Sequence, residues 1–142
     1  MKLRPYTPAD LEPLLKLWWE SWHSSATFTH PKPLTEWRLR WGEILRDHDV
    51  VVAEGANGLL GFAAVNVEEA VLSQLFVDPN AKRKGIGELL FRWAAARSAG
   101  RLRLKTLTEN SEARGFYAHL GMIERGTSFN EFNGREEIEY AL

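Results

Sequence analysis

Residues 81–95, AKRKGIGELLFRWAA, set three bases against two glycines and then begin an apolar helical rhythm. Either residues 82–87 are a solvated turn ahead of a helix, or they hold a phosphate. Ile86, Leu89, Leu90, Trp93 and Ala94 recur at helical spacing, and Gly100 stops the run. Upstream, residues 70–78 are rich in strand formers and end in Asp78-Pro79. Downstream, RLRLKTL (101–107) alternates strictly, as a half-buried strand does. The three segments read as one βαβ unit, so its two strands are expected to be parallel and joined right-handedly.

In such a unit the turn entering the helix presents unpaired backbone N–H groups at the positive end of the helix dipole. Gly85 and Gly87 lack Cβ atoms, so a ligand oxygen can approach the main chain closely. Lys82, Arg83 and Lys84 add positive charge at the same point. The turn therefore suits a pyrophosphate. A P-loop needs GxxxxGK[ST], which the chain lacks. A dinucleotide fingerprint needs GxGxxG or GxGxxA, but Leu90 stands at the third position and only one βαβ unit is present. Coenzyme A is the third possibility.

Working outward, residues 2–6 read as a strand. Thr7, Pro8 and Asp10 then mark a helix start, and Leu11, Leu14, Leu15, Trp18 and Trp22 follow on one face. HPKP (30–33) interrupts the chain before a second helix carrying Trp37, Trp41, Ile44 and Leu45. DVVVAEG and LLGFAAVNV are strands joined at Asn57-Gly58, a hairpin signal. Ser111 opens a short helix with Ala113, Phe116, Tyr117 and Leu120 on one side, closed by Gly121. Residues 122–142 read as two strands around Asn133-Gly134. The order is β-α-α-β-β-β-α-β-α-β-β, a mixed α/β sheet, with no repeat and no interdomain linker. The expectation is one domain over residues 1–142.

Composition narrows the function classes. Lys and Arg number 18 against 19 Asp and Glu, which disfavours a nucleic-acid partner. No cysteine is present, so disulfides and thiolate metal sites are excluded, as suits the cytoplasm. The first residues lack an apolar leader core, and no run approaches the about 18 apolar residues of a membrane span. Neither a membrane nor a metal is expected. His48 and His119 have no metal-ligand spacing.

Two separated motifs carry a resemblance. LFVDPNAKRKGIGELLF and NSEARGFYAHLGM are similar to the GNAT superfamily of acyl-CoA-dependent N-acetyltransferases. That family joins V-[DH]-P to [QR]-x-x-G-x-[GA], followed later by N-x-x-A-x-x-F-Y. The matching positions are Val77, Asp78 and Pro79, then 82–87, then Asn110, Ala113, Phe116 and Tyr117. Lys82 replaces the usual Gln or Arg and keeps a charge; Met122 replaces a common Phe. The resemblance implies a mostly antiparallel sheet of about seven strands, with a central parallel pair that splays, flanked by four helices.

It also implies the chemistry: transfer of an acetyl group from acetyl-CoA to a primary amine of a small molecule or peptide, by direct attack on the thioester. Leu75, Phe76 and Val77 would offer main chain to the thioester and pantetheine arm. Lys82, Arg83, Lys84, Gly85, Ile86, Gly87 and Glu88 would hold the pyrophosphate. Tyr117 would be the general acid, since a phenol of pKa roughly 10 is protonated at neutral pH. Asn110 either touches the cofactor or caps its helix. Many relatives place a basic Glu on the strand before the glycine turn, where this chain reads Ser73-Gln74-Leu75-Phe76. Glu20, His23, His30, Glu68 and Glu109 are then the candidate bases, and sequence position does not choose among them. Five of the six tryptophans fall between residues 18 and 41; they serve core packing, or an aromatic wall of an acceptor pocket around Trp18-Trp19 and SSATFTHP. A homodimer is in keeping with family habit. The competing reading is a non-catalytic acyl-CoA-binding regulatory module.

Overall fold

A computed structural model describes residues 1–23, 34–82, 84–131 and 134–142. Seven strands form one sheet: β1 (Lys2–Pro5), β2 (Asp49–Gly55), β3 (Gly58–Asn66), β4 (Val71–Val77), β5 (Arg103–Leu107), β6 (Ile123–Phe129) and β7 (Glu136–Ala141). Four helices flank it: α1 (Leu11–His23), α2 (Leu34–Ile44), α3 (Ile86–Arg97) and α4 (Ser111–His119). The spatial order is β1-β2-β3-β4-β5-β7-β6, and β4–β5 is its parallel pair. This is the expected mixed, mostly antiparallel sheet. The last strand is inserted between β5 and β6, pairing antiparallel with both.

Two apolar layers sandwich the sheet. On one face α1 and α2 bury Leu14, Leu15, Trp18, Trp37, Trp41 and Ile44 against Val52, Phe62 and Ala64. Trp18 meets Trp37 edge-on at 4.5 Å and Trp41 at 5.8 Å, an arrangement that avoids facing like quadrupoles. On the other face α3 and α4 bury Ile86, Leu90, Phe91, Ala94 and Tyr117 against Val51, Val65, Leu72 and Leu104. Leu89, expected inside, is 45% exposed, and Phe91 is inward instead. The helical turn centres the inward face near Leu90, which carries Leu89 round to solvent. Leu45 follows α2 and is likewise exposed. Trp22's side chain and Asn133 lie outside the described residues.

A capping device fixes the start of α1. The Thr7 N–H donates to the Asp10 carboxylate at 2.8 Å, as a capping box requires, although a short 3-10 turn (Pro8–Asp10) intervenes before the helix. The Arg4 guanidinium also donates two bonds to Asp10, at 2.8 and 2.9 Å, and one to Glu54 at 3.1 Å. One side chain thus ties β1 to the turn that leads into α1 and to β2.

Candidate active site

The site originates in a failure of pairing. β4 and β5 register only through Val71–Arg103 and Leu72–Leu104, although β4 continues to Val77 and β5 to Leu107. Beyond Leu72 the strands splay, and β4 pairs with β3 alone. Alternate peptides of a strand direct N–H and C=O to opposite edges, so one edge of β4 opens on the gap. The gap is a cleft of about 320 Å³, walled by β4 from Ser73 to Phe76 and by Lys105, Thr106 and Leu107 of β5. Trp18, Ser21, Trp37 and Arg40 line its α1/α2 side; Asn110, Ala113 and Tyr117 line its α4 side.

Leu75, Phe76 and Val77 are core and cleft residues at once. Leu75 and Val77 pack into the α3/α4 layer, while Phe76 stacks on Phe62 at 5.7 Å in the other. The Ser21 hydroxyl donates to the Val77 carbonyl at 3.3 Å, holding the end of β4 to α1.

The glycine turn follows directly. Asp78 accepts a bond from the Asn80 N–H at 2.8 Å, and a 3-10 turn (Pro79–Ala81) leads into Lys82. Gly85 adopts φ 79° and ψ 4°, the left-handed conformation that favours glycine. Its carbonyl accepts the first helical bond, from Leu89 N–H at 3.1 Å, so the amides of Ile86, Gly87 and Glu88 are first-turn donors without a helical acceptor. A Cβ on Gly85 would meet nothing within 4 Å, so the space in front of it is open. That geometry fits an oxyanion group. A Cβ on Gly87 would lie 3.2 Å from Phe116 Cζ, a contact tight enough that the ring would have to yield by a few tenths of an ångström. Ile86 buries its side chain in the core, leaving only main chain for a ligand. Lys82 reaches Glu112 of α4 at 2.8 Å, Lys84 is exposed, and Glu88 pairs with Arg92 at 3.0 Å. Arg83 lies outside the described residues.

Tyr117 is 8% exposed, with its ring 5.2 Å from Phe116 and 6.3 Å from Phe91. Burial pushes its phenol further above the ordinary value of 10.0, so it holds its proton throughout the neutral range. Asn110 caps α4: its side-chain oxygen accepts the Ala113 N–H at 3.0 Å while the residue also faces the cleft. Both readings of Asn110 are therefore compatible.

Of the candidate bases, Glu20 stands 4.0 Å from Lys16, Glu109 stands 3.5 Å from Arg135, and Glu68 is exposed in the β3–β4 turn. None is on the cleft wall. The His23 side chain and His30 lie outside the described residues, as does SSATFTHP. Trp18 and Trp37 do line the cleft, while Trp19 is 41% exposed. Among the described residues, no group of three His, Asp or Glu side chains could hold a metal ion, and no helix is long and apolar enough to cross a membrane.

One constellation was not anticipated. His48, in the turn before β2, brings Nε2 to 2.7 Å from Ser73 Oγ and Nδ1 to 2.6 Å from Asp47 Oδ1. The only trace in the sequence is that Ser73-Gln74 interrupts an otherwise apolar strand.

Comparison with known proteins agrees with this geometry. Residues 46–122 match the family described as Acetyltransferase (GNAT) domain. Apo YjaB from Escherichia coli superposes with TM-score 0.81 at 22% identity, covering 99% of this chain and 95% of that one. The PaiA N-acetyltransferase of Thermoplasma acidophilum, solved in complex with coenzyme A, gives 0.80 at 22% identity over 99% and 98%. A phosphinothricin acetyltransferase from Sinorhizobium meliloti, in complex with AcCoA, gives 0.74 at 19% over 99% and 86%.

Proposed function

Since the chain belongs to the GNAT acetyltransferase family, we propose that residues 1–142 act as one domain that transfers an acetyl group from acetyl-CoA to a primary amine of a small molecule or peptide. The observation that carries this reading is the splay beyond Leu72 and Leu104, which opens the β4 edge directly upstream of the glycine turn. A single ligand can then lay its pyrophosphate on the amides of residues 86–88 and its thioester along residues 75–77. Lys82 and Lys84 supplement the charge of the turn, and Arg83 is assigned to the same role from its place in the motif.

Thioester aminolysis needs a neutral nucleophile, a stabilised oxyanion and relief of charge on the leaving thiolate. A β4 N–H between Leu75 and Val77 would donate to the thioester oxygen as it becomes anionic. Tyr117 would donate to the sulfur as the C–S bond breaks. Its burial keeps it protonated for that task, and also opposes leaving a bare phenolate, so the hydroxyl acts chiefly while charge develops. The acceptor would enter from the α1/α2 side, past Trp18, Trp37 and Arg40.

The test is thiol release from acetyl-CoA, with mass detection of the acetylated product, across amines including spermidine and an alanyl peptide. Amine-dependent turnover is expected. Binding of coenzyme A with no turnover for any amine would overturn the transferase reading in favour of a non-catalytic acyl-CoA-binding module.

A further inference from the structure

The acceptor amine must lose a proton, yet Glu20, Glu68 and Glu109 do not line the cleft, and the two carboxylates that do, Glu137 and Glu139, are engaged by Asn130 and Arg103. We infer that Ser73, His48 and Asp47 form the proton-accepting relay of the cleft, with Ser73 meeting the amine, directly or through one water. This inference rests on the acetyl-transfer reading above.

Three observations converge. First, Ser73 is the extra residue of a β-bulge: β3–β4 pairing passes from Ala64–Gln74 to Val65–Leu72 and leaves Ser73 without a partner residue in the register. A bulge redirects the side chain it carries. Ser73 lines the cleft in the segment where β4 has lost β5. Second, the hydrogen bonds have one consistent direction. An ionised Asp47 carboxylate can only accept, so His48 Nδ1–H donates to it at 2.6 Å. With the imidazole neutral, Nε2 then carries the lone pair and accepts the Ser73 O–H at 2.7 Å. Third, the relay has an exit. The His48 side chain is 10% exposed but Asp47 is 65% exposed, and the ring also borders a second hollow lined by Arg4, Tyr6, Asp49, Trp93 and Arg97.

The transfer balances. Before attack, one proton of the acceptor's ammonium passes to the Ser73 oxygen and frees the nitrogen lone pair; the second proton, shed by nitrogen as the amide forms, balances the one that the leaving thiolate takes up. The Ser73 proton passes to His48 Nε2, and the resulting imidazolium keeps its Nδ1–H on Asp47. Ser73 ends as a neutral hydroxyl, and His48 releases one proton toward solvent. The charged groups that face His48 are Asp47 from its own turn, Asp49 paired with Arg97 at 3.0 Å, and Arg4, already committed to Asp10 and Glu54; Tyr6 adds a phenol. The Asp–His–Ser order is that of a hydrolase triad, so acyl transfer onto Ser73 itself is the competing chemistry.

The experiment uses the full chain with acetyl-CoA and two nucleophiles: spermidine, protonated at neutral pH, and hydroxylamine, largely neutral there. For spermidine, Ser73→Ala and His48→Gln are each expected to lower kcat by on the order of 10², with KM for acetyl-CoA unchanged. Ser73→Thr retains the hydroxyl and should restore the rate. For hydroxylamine the loss should be at least about tenfold smaller, because the nucleophile arrives neutral. A purely structural role for Ser73 would slow both nucleophiles alike, and that result in variants with parental melting temperatures overturns the relay while leaving the transferase reading intact. An acetyl group on Ser73 in acid-quenched parent enzyme overturns it in favour of a covalent route. Coenzyme A binding without turnover of either nucleophile by the parent overturns the transferase reading, and the relay with it.

Discussion

Phe116 Cζ lies 3.2 Å from where a Cβ on Gly87 would stand, so the approach of α3 to α4 leaves little room for a side chain at residue 87. The adjacent ring in that layer is Tyr117, 5.2 Å from Phe116. The second glycine of the turn thus borders the layer that holds the proposed acid. Gly87→Ala should push the Phe116 ring by a few tenths of an ångström and cost about 1–2 kcal/mol of stability. Gly85→Ala meets no neighbour but must hold φ 79°, at roughly 1–2 kcal/mol. Denaturant melts give both losses. Gly85→Asn separates the causes: Asn tolerates the left-handed region, so much of the loss should be recovered. An equal loss with Asn would mean that something other than backbone strain is at work.

Coenzyme A should raise the melting temperature far more than adenosine at the same concentration. A ligand that binds only the native state stabilises it by mass action, and the amides of residues 86–88 together with Lys82 and Lys84 address phosphate. Lys82 is exposed and already paired with Glu112 at 2.8 Å. Glu112→Gln should therefore leave Lys82 freer and deepen the coenzyme A shift slightly. Equal shifts for adenosine and coenzyme A would remove the phosphate assignment from the turn.

Acid should unfold the chain partly through Asp10. Its bonds from the Arg4 guanidinium, and then from the Thr7 N–H, hold its carboxyl below the ordinary value of 3.8 despite burial, which acts the other way. A carboxyl depressed in the native state binds fewer protons there than in the unfolded chain. Its contribution is therefore complete above the ordinary carboxylate range and is lost as pH falls through the depressed folded value. Asp10→Asn should cost about 2 kcal/mol at neutral pH and flatten the acid limb of the stability curve below pH 4. Urea melts from pH 7 to pH 2.5 measure both. An acid limb as steep in Asp10→Asn as in the parent would assign it to other carboxylates, such as Glu54, Glu12 or Glu124, which Arg4, Arg38 and Arg114 hold low.

The sequence carried the scaffold because its signals were local. Asn57-Gly58 marked a hairpin, RLRLKTL kept its alternation as β5, and the GxG turn fell at a strand-to-helix junction. What it hid was relational. Residues 122–142 announced a hairpin, but nothing local said that β7, not β6, would join β5. Gly87 read as ligand access, and nothing local said that its missing side chain also faces a ring 29 residues further along the chain. Ser73 and His48 meet across 25 residues because a bulge reorients one and a turn delivers the other. A bulge shifts the face of one residue without altering composition, so a period-two reading passes over it.

Tyr117→Phe should lower kcat while leaving acetyl-CoA affinity nearly intact. Phenylalanine keeps the ring against Phe116 and Phe91, so the α3/α4 layer should survive and the melting temperature should match the parent. Only the hydroxyl of a residue that lines the cleft is removed. Assistance of this kind is worth on the order of 10²–10⁴ in rate, and the lower end is expected because a thiolate leaves comparatively easily. The burial that raises the phenol's pKa adds a second expectation. The group should show no deprotonation limb between pH 6 and 9, so the parent's pH–rate profile and that of Tyr117→Phe should run parallel there. A fall in kcat with KM unchanged marks an interaction made mainly in the transition state. Steady-state kinetics over that pH range decide the matter. If Tyr117→Phe turns over at the parental rate while chemistry limits the parent, Tyr117 only packs the core. If affinity falls and kcat does not, its hydroxyl serves the cofactor.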